Sequence, residues 1–184
     1  MVVNKITDLI GNTPLLEIKM KNNDWKVFLK LEKFNPGGSM KDRMALNMIE
    51  QAEKSGRLKP GGTIIESSSG NTAIGLAIAS AIKGYRFIAV VDHHASKEKI
   101  DMIKAYGGEI VVVGDGYKAN EVAVVEREKT AKRMSEEMDN AFFPNQADNF
   151  DNRSAYTNTL AKELINELGT IDSFYAAIGT GGSS

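Results

Sequence analysis

The fold is decided by residues 63–91, which read TIIESSSGNTAIGLAIASAIKGYRFIAVV. The stretch begins with a short apolar strand, Thr63–Glu66, and ends with a continuous apolar strand, Arg86–Val91. Between them, Asn71–Lys83 is rich in Ala and Ile and is followed by Gly84, which is typical of a helix with a glycine stop signal. A strand, a helix and a second strand in this order predict a right-handed βαβ unit, and therefore two parallel strands.

The same alternation continues on both sides of this unit. Its further members are a strand Trp25–Leu31, a helix from Ser39 to about Ser55, a helix Ser96–Tyr106, a buried strand Glu109–Val113, a helix from about Ala119 to Met138, a helix from about Arg153 to Leu168 and a strand Asp172–Ile178. Short apolar strands that alternate with helices predict an α/β protein built on a parallel sheet. Such sheets bind ligands beyond the carboxyl ends of their strands.

The composition is ordinary for a globular protein with a mixed surface charge. The 184 residues are 42% hydrophobic and 26% charged, with a net charge of −1. No basic field points to a nucleic acid or a membrane surface, so we expect neither as a partner. There is no cysteine and there are only two histidines, His93 and His94, so we expect no disulfide, no cysteine nucleophile and no metal site. The N-terminus lacks an apolar signal core and no apolar run could span a bilayer, so we expect the cytoplasm.

Lys41 is the candidate nucleophile. It follows Asn35-Pro36-Gly37-Gly38-Ser39-Met40 and lies at the predicted start of a helix, with an apolar flank that includes Met44. A helix N-terminus and an apolar environment both disfavour the charged ammonium group, so we expect a lowered pKa. An amine of this kind can form a Schiff base with an aldehyde. We expect the neighbouring Asp42 and Arg43 to form a structural ion pair.

Ser67-Ser68-Ser69-Gly70-Asn71-Thr72 joins the first strand of the βαβ unit to its helix. Ser69 or Asn71 could serve simply as a helix cap. Hydroxyls and backbone N–H groups at a helix N-terminus also make a pocket for a carboxylate. The segment by itself is compatible with both interpretations.

Gly179-Thr180-Gly181-Gly182-Ser183 follows the last predicted strand. Glycines let backbone N–H groups approach an anion closely, and the two hydroxyls add donors, which favours a phosphate site. A flexible glycine-rich turn is the alternative. The segment lacks both the Gly-Lys-Ser/Thr ending of a Walker loop and the third spaced glycine of a dinucleotide fingerprint.

Read together, these segments resemble the cysteine synthase and cystathionine β-synthase family, the fold type II pyridoxal-phosphate enzymes. Ile10-Gly11-Asn12-Thr13-Pro14-Leu15 is similar to the N-terminal signature of the family, and the stretch from Leu31 to Arg43 resembles its lysine motif. Ser69-Gly70-Asn71-Thr72 resembles its substrate-carboxylate loop, and Gly179 to Ser183 resembles its phosphate loop. Four motifs in order make this resemblance specific.

The resemblance implies a cofactor, a reaction and a set of site residues. The cofactor would be pyridoxal 5′-phosphate, held by Lys41 and hydrogen-bonded at its ring hydroxyl by Asn71, and the freed Lys41 would act as general base. The substrate carboxylate would be bound by Ser68, Ser69, Asn71, Thr72 and Gln146, and the phosphate by Gly179, Thr180, Gly181, Gly182 and Ser183. The reaction would be β-replacement on a serine derivative of the O-acetylserine or O-phosphoserine type, which forms cysteine or a related β-substituted alanine. A homodimer is also implied.

The resemblance implies a division into domains as well. Residues 1–40 would be the N-terminal part of a large domain, residues 41–146 an inserted small α/β domain, and residues 147–184 an incomplete return to the large domain. Family members continue well beyond the phosphate loop, so we expect either a shortened or partial copy or a naturally short relative. Two other hypotheses stay open: a non-catalytic remnant that binds a ligand or partner, and a nucleotide-binding α/β domain.

Overall fold

A computed structural model of the chain describes residues 2–21, 24–116 and 122–183. The strands are β1 (Leu15–Lys19), β2 (Lys26–Lys30), β3 (Thr63–Ser67), β4 (Arg86–Val91), β5 (Glu109–Val112) and β6 (Ala141–Phe142). The helices are α1 (Lys41–Lys54), α2 (Asn71–Lys83), α3 (Lys97–Ala105), α4 (Val124–Glu137), α5 (Phe150–Asn158) and α6 (Leu160–Leu168). No helix in the three described ranges is long and apolar enough to cross a bilayer.

Four parallel strands form the main sheet, in the order β5-β4-β3-β6. Ile64 of β3 lies opposite Phe87 of β4, and Ala89 of β4 lies opposite Ile110 of β5. Helix α2 connects β3 to β4, and helix α3 connects β4 to β5, as the βαβ pattern predicts. The predicted α/β class and parallel sheet are therefore confirmed.

Helices cover both faces of this sheet because the successive apolar side chains of its strands point to opposite faces. Ile64 and Phe87 belong to a large core formed with α1, α2 and α5. Ile65 and Ile88 belong to a smaller core on the other face, which contains Ala131 of α4. The carboxyl end of β3 runs directly into the segment that begins α2, so the sheet itself positions that segment.

Strand β5 forms the edge of the sheet, so its predicted burial is wrong. Among the described strands it pairs with β4 alone, and Val112 is 64% exposed. An apolar run of four residues does not reveal whether a second strand will lie beside it. The apolar pattern therefore predicted the strand correctly but misplaced it within the sheet.

Two strands were not predicted from the sequence. Strand β1 pairs antiparallel with β2, with Leu16 opposite Leu29. Strand β6 is only two residues long and extends the main sheet beside β3, with Ala141 opposite Thr63. Both are too short or too mixed in composition to give a clear period-two pattern.

The predicted helix Arg153–Leu168 is two helices, α5 and α6, that break at Thr159. The Thr159 hydroxyl donates to the carbonyl oxygen of Ala155 at 2.7 Å, and its backbone leaves helical geometry with φ −123° and ψ −79°. A side chain that bonds its own helix backbone in this way competes with helix continuation. A hydroxyl residue inside an otherwise helical pattern gave only a weak sign of this break.

The predicted strand Asp172–Ile178 is wrong. These residues form no strand, and every one of them is exposed. A strand requires a pairing neighbour, and the described residues place none beside this segment. Of the predicted helix Ala119–Met138, the part at 119–121 lies outside the described residues, and most of the remainder is confirmed as α4, which begins at Val124 and ends at Glu137.

Candidate active site

Lys41 is the first residue of α1, so its predicted place at a helix start is confirmed, although α1 begins two residues after the predicted start at Ser39. Its backbone N–H donates to Ser39 Oγ at 3.2 Å. The side chain is half-buried, and burial lowers the pKa of the Lys41 amine, which confirms the expected direction. The start of α1 also packs closely on α2, because a Cβ on Gly75 would lie 3.2 Å from the Lys41 carbonyl oxygen.

Asp42 holds the loop that precedes Lys41. Its buried carboxylate accepts a hydrogen bond from the backbone N–H of Gly37, and a Cβ on Gly37 would collide with the same carboxylate. Burial raises the pKa of Asp42 to about 6, with the Gly37 N–H opposing that effect. The predicted ion pair between Asp42 and Arg43 is therefore wrong, because Asp42 is bonded to the glycine turn instead.

Arg43 pairs with two carboxylates from elsewhere in the chain. Its fully buried guanidinium makes a bidentate contact to Glu32, with both N–O distances 2.8 Å, and a second contact to Glu163 of α6. Lys30 lies 2.8 Å from the other side of Glu163. Two carboxylates and two cationic side chains therefore neutralise one another, and they hold the lysine helix against α6 and against the segment 30–32 at the end of β2.

The predicted carboxylate loop is tied to Gln146. The Thr72 hydroxyl donates to Gln146 Oε1 at 2.7 Å, so two predicted binding residues are in direct contact. Ser68 Oγ accepts the backbone N–H of Gly70 at 3.2 Å, while Ser69 is half-buried in the same loop. Asn71 is exposed, and its Oδ1 accepts a hydrogen bond from Lys99 of α3.

Glu66 lies beneath this loop, at the end of β3. Its carboxylate oxygens accept the backbone N–H of Ser67 at 2.9 Å and that of Gln146 at 3.3 Å. Burial nevertheless raises the pKa of Glu66 to about 7, because these hydrogen bonds only partly offset the loss of solvation. The carboxylate joins the carboxyl end of β3 to the segment that carries Gln146.

The glycine-rich turn lies against Asn152 of α5. The Asn152 amide Nδ2 donates to Thr180 Oγ1 at 3.0 Å and to the Gln146 carbonyl oxygen at 2.8 Å. A Cβ on Gly182 would lie 2.3 Å from Asn152 Oδ1, so glycine is required there. Around Gly179 and Gly181, in contrast, the space for a Cβ is open, and Ser183 ends the turn partly buried.

Helix α5 also contacts the residue next to Lys41. The Tyr156 hydroxyl donates to the Met40 carbonyl oxygen at 3.2 Å. Because Tyr156 and Asn152 are four residues apart, they lie on one face of the helix, about 6 Å from each other along its axis. Successive turns of one helix therefore contact the start of the lysine helix and the glycine-rich turn.

Residues 6–184 match the family of pyridoxal-phosphate dependent enzymes, and the chain belongs to this family. Its cofactor is therefore pyridoxal 5′-phosphate. A cysteine synthase of Staphylococcus aureus is 43% identical over an alignment of 185 positions, which covers 98% of this chain and 58% of that protein. Curated relatives that are 43–50% identical are much longer, since the chain spans 54–59% of their length.

Solved structures give the same result for the fold. A hydrogen sulfide-producing enzyme of Fusobacterium nucleatum superposes with a TM-score of 0.90 at 38% identity, covering 100% of this chain and 59% of that one. An O-acetylserine dependent cystathionine β-synthase of Helicobacter pylori superposes with a TM-score of 0.89 at 34% identity, over 100% and 60% of the two chains.

The residues of the site fit this cofactor chemically. A partly buried amine of lowered pKa suits an aldehyde, and the glycine-rich turn leaves room for an anion where Gly179 and Gly181 carry no side chain.

Sequence reasoning missed four residues of the site, which are Asn152, Tyr156, Glu66 and Glu163. Asn152 and Tyr156 gave no signal, because a polar residue inside a helix is usually exposed. Glu66 did give one, since it is the single charge in an apolar strand.

Proposed function

We propose that the protein catalyses β-replacement on a serine derivative and forms cysteine or a related β-substituted alanine. The substrate would carry an O-acetyl or O-phosphoryl group as its leaving group. The observation that carries this proposal is the position of helix α5, which contacts the lysine helix through Tyr156 and the glycine-rich turn through Asn152. An amine and an anion site held by one helix suit a ligand with an aldehyde at one end and a phosphate at the other.

Lys41 has two roles in this proposal. When bound, pyridoxal 5′-phosphate supplies an electron sink that acidifies the α-hydrogen of an amino acid and lets its β-substituent leave. Lys41 Nζ would hold the cofactor through its aldehyde and, when free, would accept the α-proton of the substrate. The lowered pKa favours the neutral amine that both roles require.

The remaining site residues orient the two ligands. Asn71 would donate from its amide nitrogen to the ring hydroxyl, while the N–H groups of the glycine-rich turn would bind the phosphate together with the hydroxyls of Thr180 and Ser183. The substrate carboxylate would be bound at the N-terminus of α2, because the positive end of the dipole of this 13-residue helix lies there. The proposed ligands of the carboxylate are Ser68, Ser69, Asn71, Thr72 and Gln146. Those of the phosphate are Gly179, Thr180, Gly181, Gly182 and Ser183.

We extend the proposal to the context in which the enzyme works. It would be a cytoplasmic homodimer, with residues 41–146 as a small domain between two parts of a larger one. Light scattering of the purified protein tests the dimer, and a molar mass equal to that of one chain would contradict it.

The decisive experiment compares Lys41→Ala with Lys54→Ala. Lys54 is an exposed lysine at the other end of the same helix, so it serves as the matched control. With pyridoxal 5′-phosphate, the parent protein and Lys54→Ala should show the visible absorbance of a Schiff base, and borohydride should fix the cofactor on the peptide that contains residue 41. Lys41→Ala should show neither. A parent protein without that absorbance, or one labelled at another lysine, would overturn the proposal.

A second candidate is a non-catalytic module that binds a ligand or a partner. The exposed segment 171–178 favours it, because Phe174, Tyr175 and Ile178 are 55–92% exposed. Assays of cysteine formation from O-acetylserine and sulfide separate the two candidates. Cofactor binding without any turnover would support the binding module.

A further inference from the structure

Asn152 lies between two parts of the site that have separate ligands. Only 3% of the residue is exposed, and its single amide nitrogen donates both to the Gln146 carbonyl oxygen and to Thr180 Oγ1. We infer that Asn152 is a positioning residue that couples phosphate binding in the glycine-rich turn to the arrangement of the carboxylate site. This inference rests on the proposed function, which assigns the two ligands to these two places.

On the carboxylate side, Gln146 is held at three of its atoms. Its backbone N–H is bonded to Glu66, its carbonyl oxygen to Asn152, and its side-chain oxygen to Thr72. The Thr72–Gln146 bond fixes the side chains that face the substrate carboxylate. Because Asn152 is one of the three supports, a displacement of its amide changes where Gln146 presents its side chain.

On the phosphate side, the turn contacts the same amide in two ways. Thr180 accepts from Nδ2, and the Gly182 backbone packs so closely that a Cβ there would overlap Oδ1. That oxygen is buried and has no hydrogen-bond partner among the described residues. A buried acceptor without a donor is unfavourable, so an arrangement of the turn that brings an N–H group to Oδ1 is favoured.

These contacts give the coupling a direction. Phosphate binding orders the N–H groups of the turn, which fixes Thr180 and Gly182 against the Asn152 amide. The amide then holds the Gln146 carbonyl, and Gln146 holds Thr72. A site with its phosphate bound would therefore be pre-arranged for the substrate carboxylate, which lowers the entropic cost of binding that substrate.

Hydrogen–deuterium exchange tests the coupling with two probes, pyridoxal and pyridoxal 5′-phosphate. Pyridoxal can react with Lys41 but brings no phosphate to the turn. In the parent protein, the phosphorylated probe should slow amide exchange several-fold at 179–183 and also at 145–147 and 67–72. Pyridoxal, which carries the ring hydroxyl but no phosphate, should leave 179–183 and 145–147 unchanged.

Asn152→Ala should keep the protection at 179–183 and lose it at 145–147, the segment that Asn152 contacts through the Gln146 carbonyl. Asn158→Ala is the matched control, because Asn158 is an exposed asparagine on the same helix, and it should behave like the parent. If Asn152→Ala does not fold, Thr180→Val removes one of the two bonds from an exposed position and should also abolish the remote protection. Remote protection that persists in these variants would overturn the inference.

The outcomes separate this inference from the proposed function. A Schiff base at Lys41 with protection of the turn alone, in the parent protein, would disprove the coupling and leave the proposed function standing. Failure of the phosphorylated probe to protect the turn at all would overturn both.

Discussion

Arg43 and Glu163 are 120 residues apart in the chain, and their side chains form a two-pronged ion pair in the interior. The pair connects the first turn of the lysine helix to α6, so the position of Lys41 depends on a helix near the end of the described chain. Lys30 of β2 and Glu32, two residues after that strand, complete the arrangement from the N-terminal side. The lysine helix is thus anchored from both flanks.

Glu163→Gln should lower the free energy of unfolding by about 3 kcal/mol at neutral pH. The substitution leaves a fully buried guanidinium with only one carboxylate, and breaking a buried ion pair is strongly destabilising. The control is Glu109→Gln, which breaks the exposed pair with Arg86 and should cost less than about 1 kcal/mol. Urea denaturation measures both, and equal losses would contradict the anchoring role of Glu163.

The same pair sets the acid limit of stability. Burial raises the pKa of the Glu163 carboxyl, but the hydrogen bonds and charge of Arg43 and the hydrogen bond of Lys30 outweigh it and hold the pKa at about 2. A carboxylate with a lowered folded pKa contributes stability above pH 4.5 that is lost as the pH falls towards 2. In Glu163→Gln, the fall of the unfolding free energy between pH 4.5 and 2 should therefore be shallower than in the parent protein, as denaturant titrations at several pH values would reveal.

Glu66 should produce the opposite pH dependence near neutrality. Burial raises its pKa to about 7, so the folded protein binds more protons than the unfolded chain between pH 4.5 and 7. The free energy of unfolding should therefore fall as the pH rises through this range, by at most about 1.4 kcal/mol per pH unit. Glu66→Gln should remove the part of this fall between pH 6 and 7.

Asp42→Asn is the control for that measurement. The pKa of its carboxyl is raised to about 6, so its contribution to the free energy of unfolding should be lost mainly as the pH rises from 3.8 to 6. The two variants should therefore reduce the slope of the unfolding free energy against pH in different pH ranges. If Glu66→Gln retained the parent slope between pH 6 and 7, the buried carboxyl beneath Gln146 would not be the group responsible.

Gly75→Ala should destabilise the protein although alanine is the better helix former. The gain in helix propensity is about 1 kcal/mol, whereas a Cβ would lie 3.1 Å from Ala45 Cβ and 3.2 Å from the Lys41 carbonyl in a packed interior. Overpacking of this kind costs about 1–3 kcal/mol, so the net loss should be about 1 kcal/mol. Gly70→Ala, which meets only Ser68 Oγ at 4.0 Å, should not show such a steric cost. Thermal unfolding distinguishes them.

The helices with local signals could be predicted from the sequence. The bounds of α2 were predicted to the residue, because its apolar run begins after Gly70 and ends at Gly84, whose φ of 76° suits glycine. The lysine helix and the carboxylate loop were found for similar reasons. Local patterns cannot show which distant residue will complete a hydrogen bond or ion pair, so the contacts of Asn152 and Glu163 could not be predicted. Nor can they show whether an apolar run such as 172–178 will have a neighbour to pair with.

Lys99 offers a test of the orientation of Asn71. A lysine ammonium only donates hydrogen bonds, so its contact fixes Asn71 Oδ1 towards α3 and leaves Nδ2 for the contact proposed above with the ring hydroxyl of the cofactor. Lys99→Met removes that constraint and should raise the Kd for pyridoxal 5′-phosphate roughly tenfold, which corresponds to about 1.4 kcal/mol. Lys97→Met is the matched control, because Lys97 lies on the same helix and pairs only with Asp101 among the described contacts. Absorbance titration measures both constants. Equal affinities of the two variants would show that Asn71 needs no help from α3 to face the cofactor.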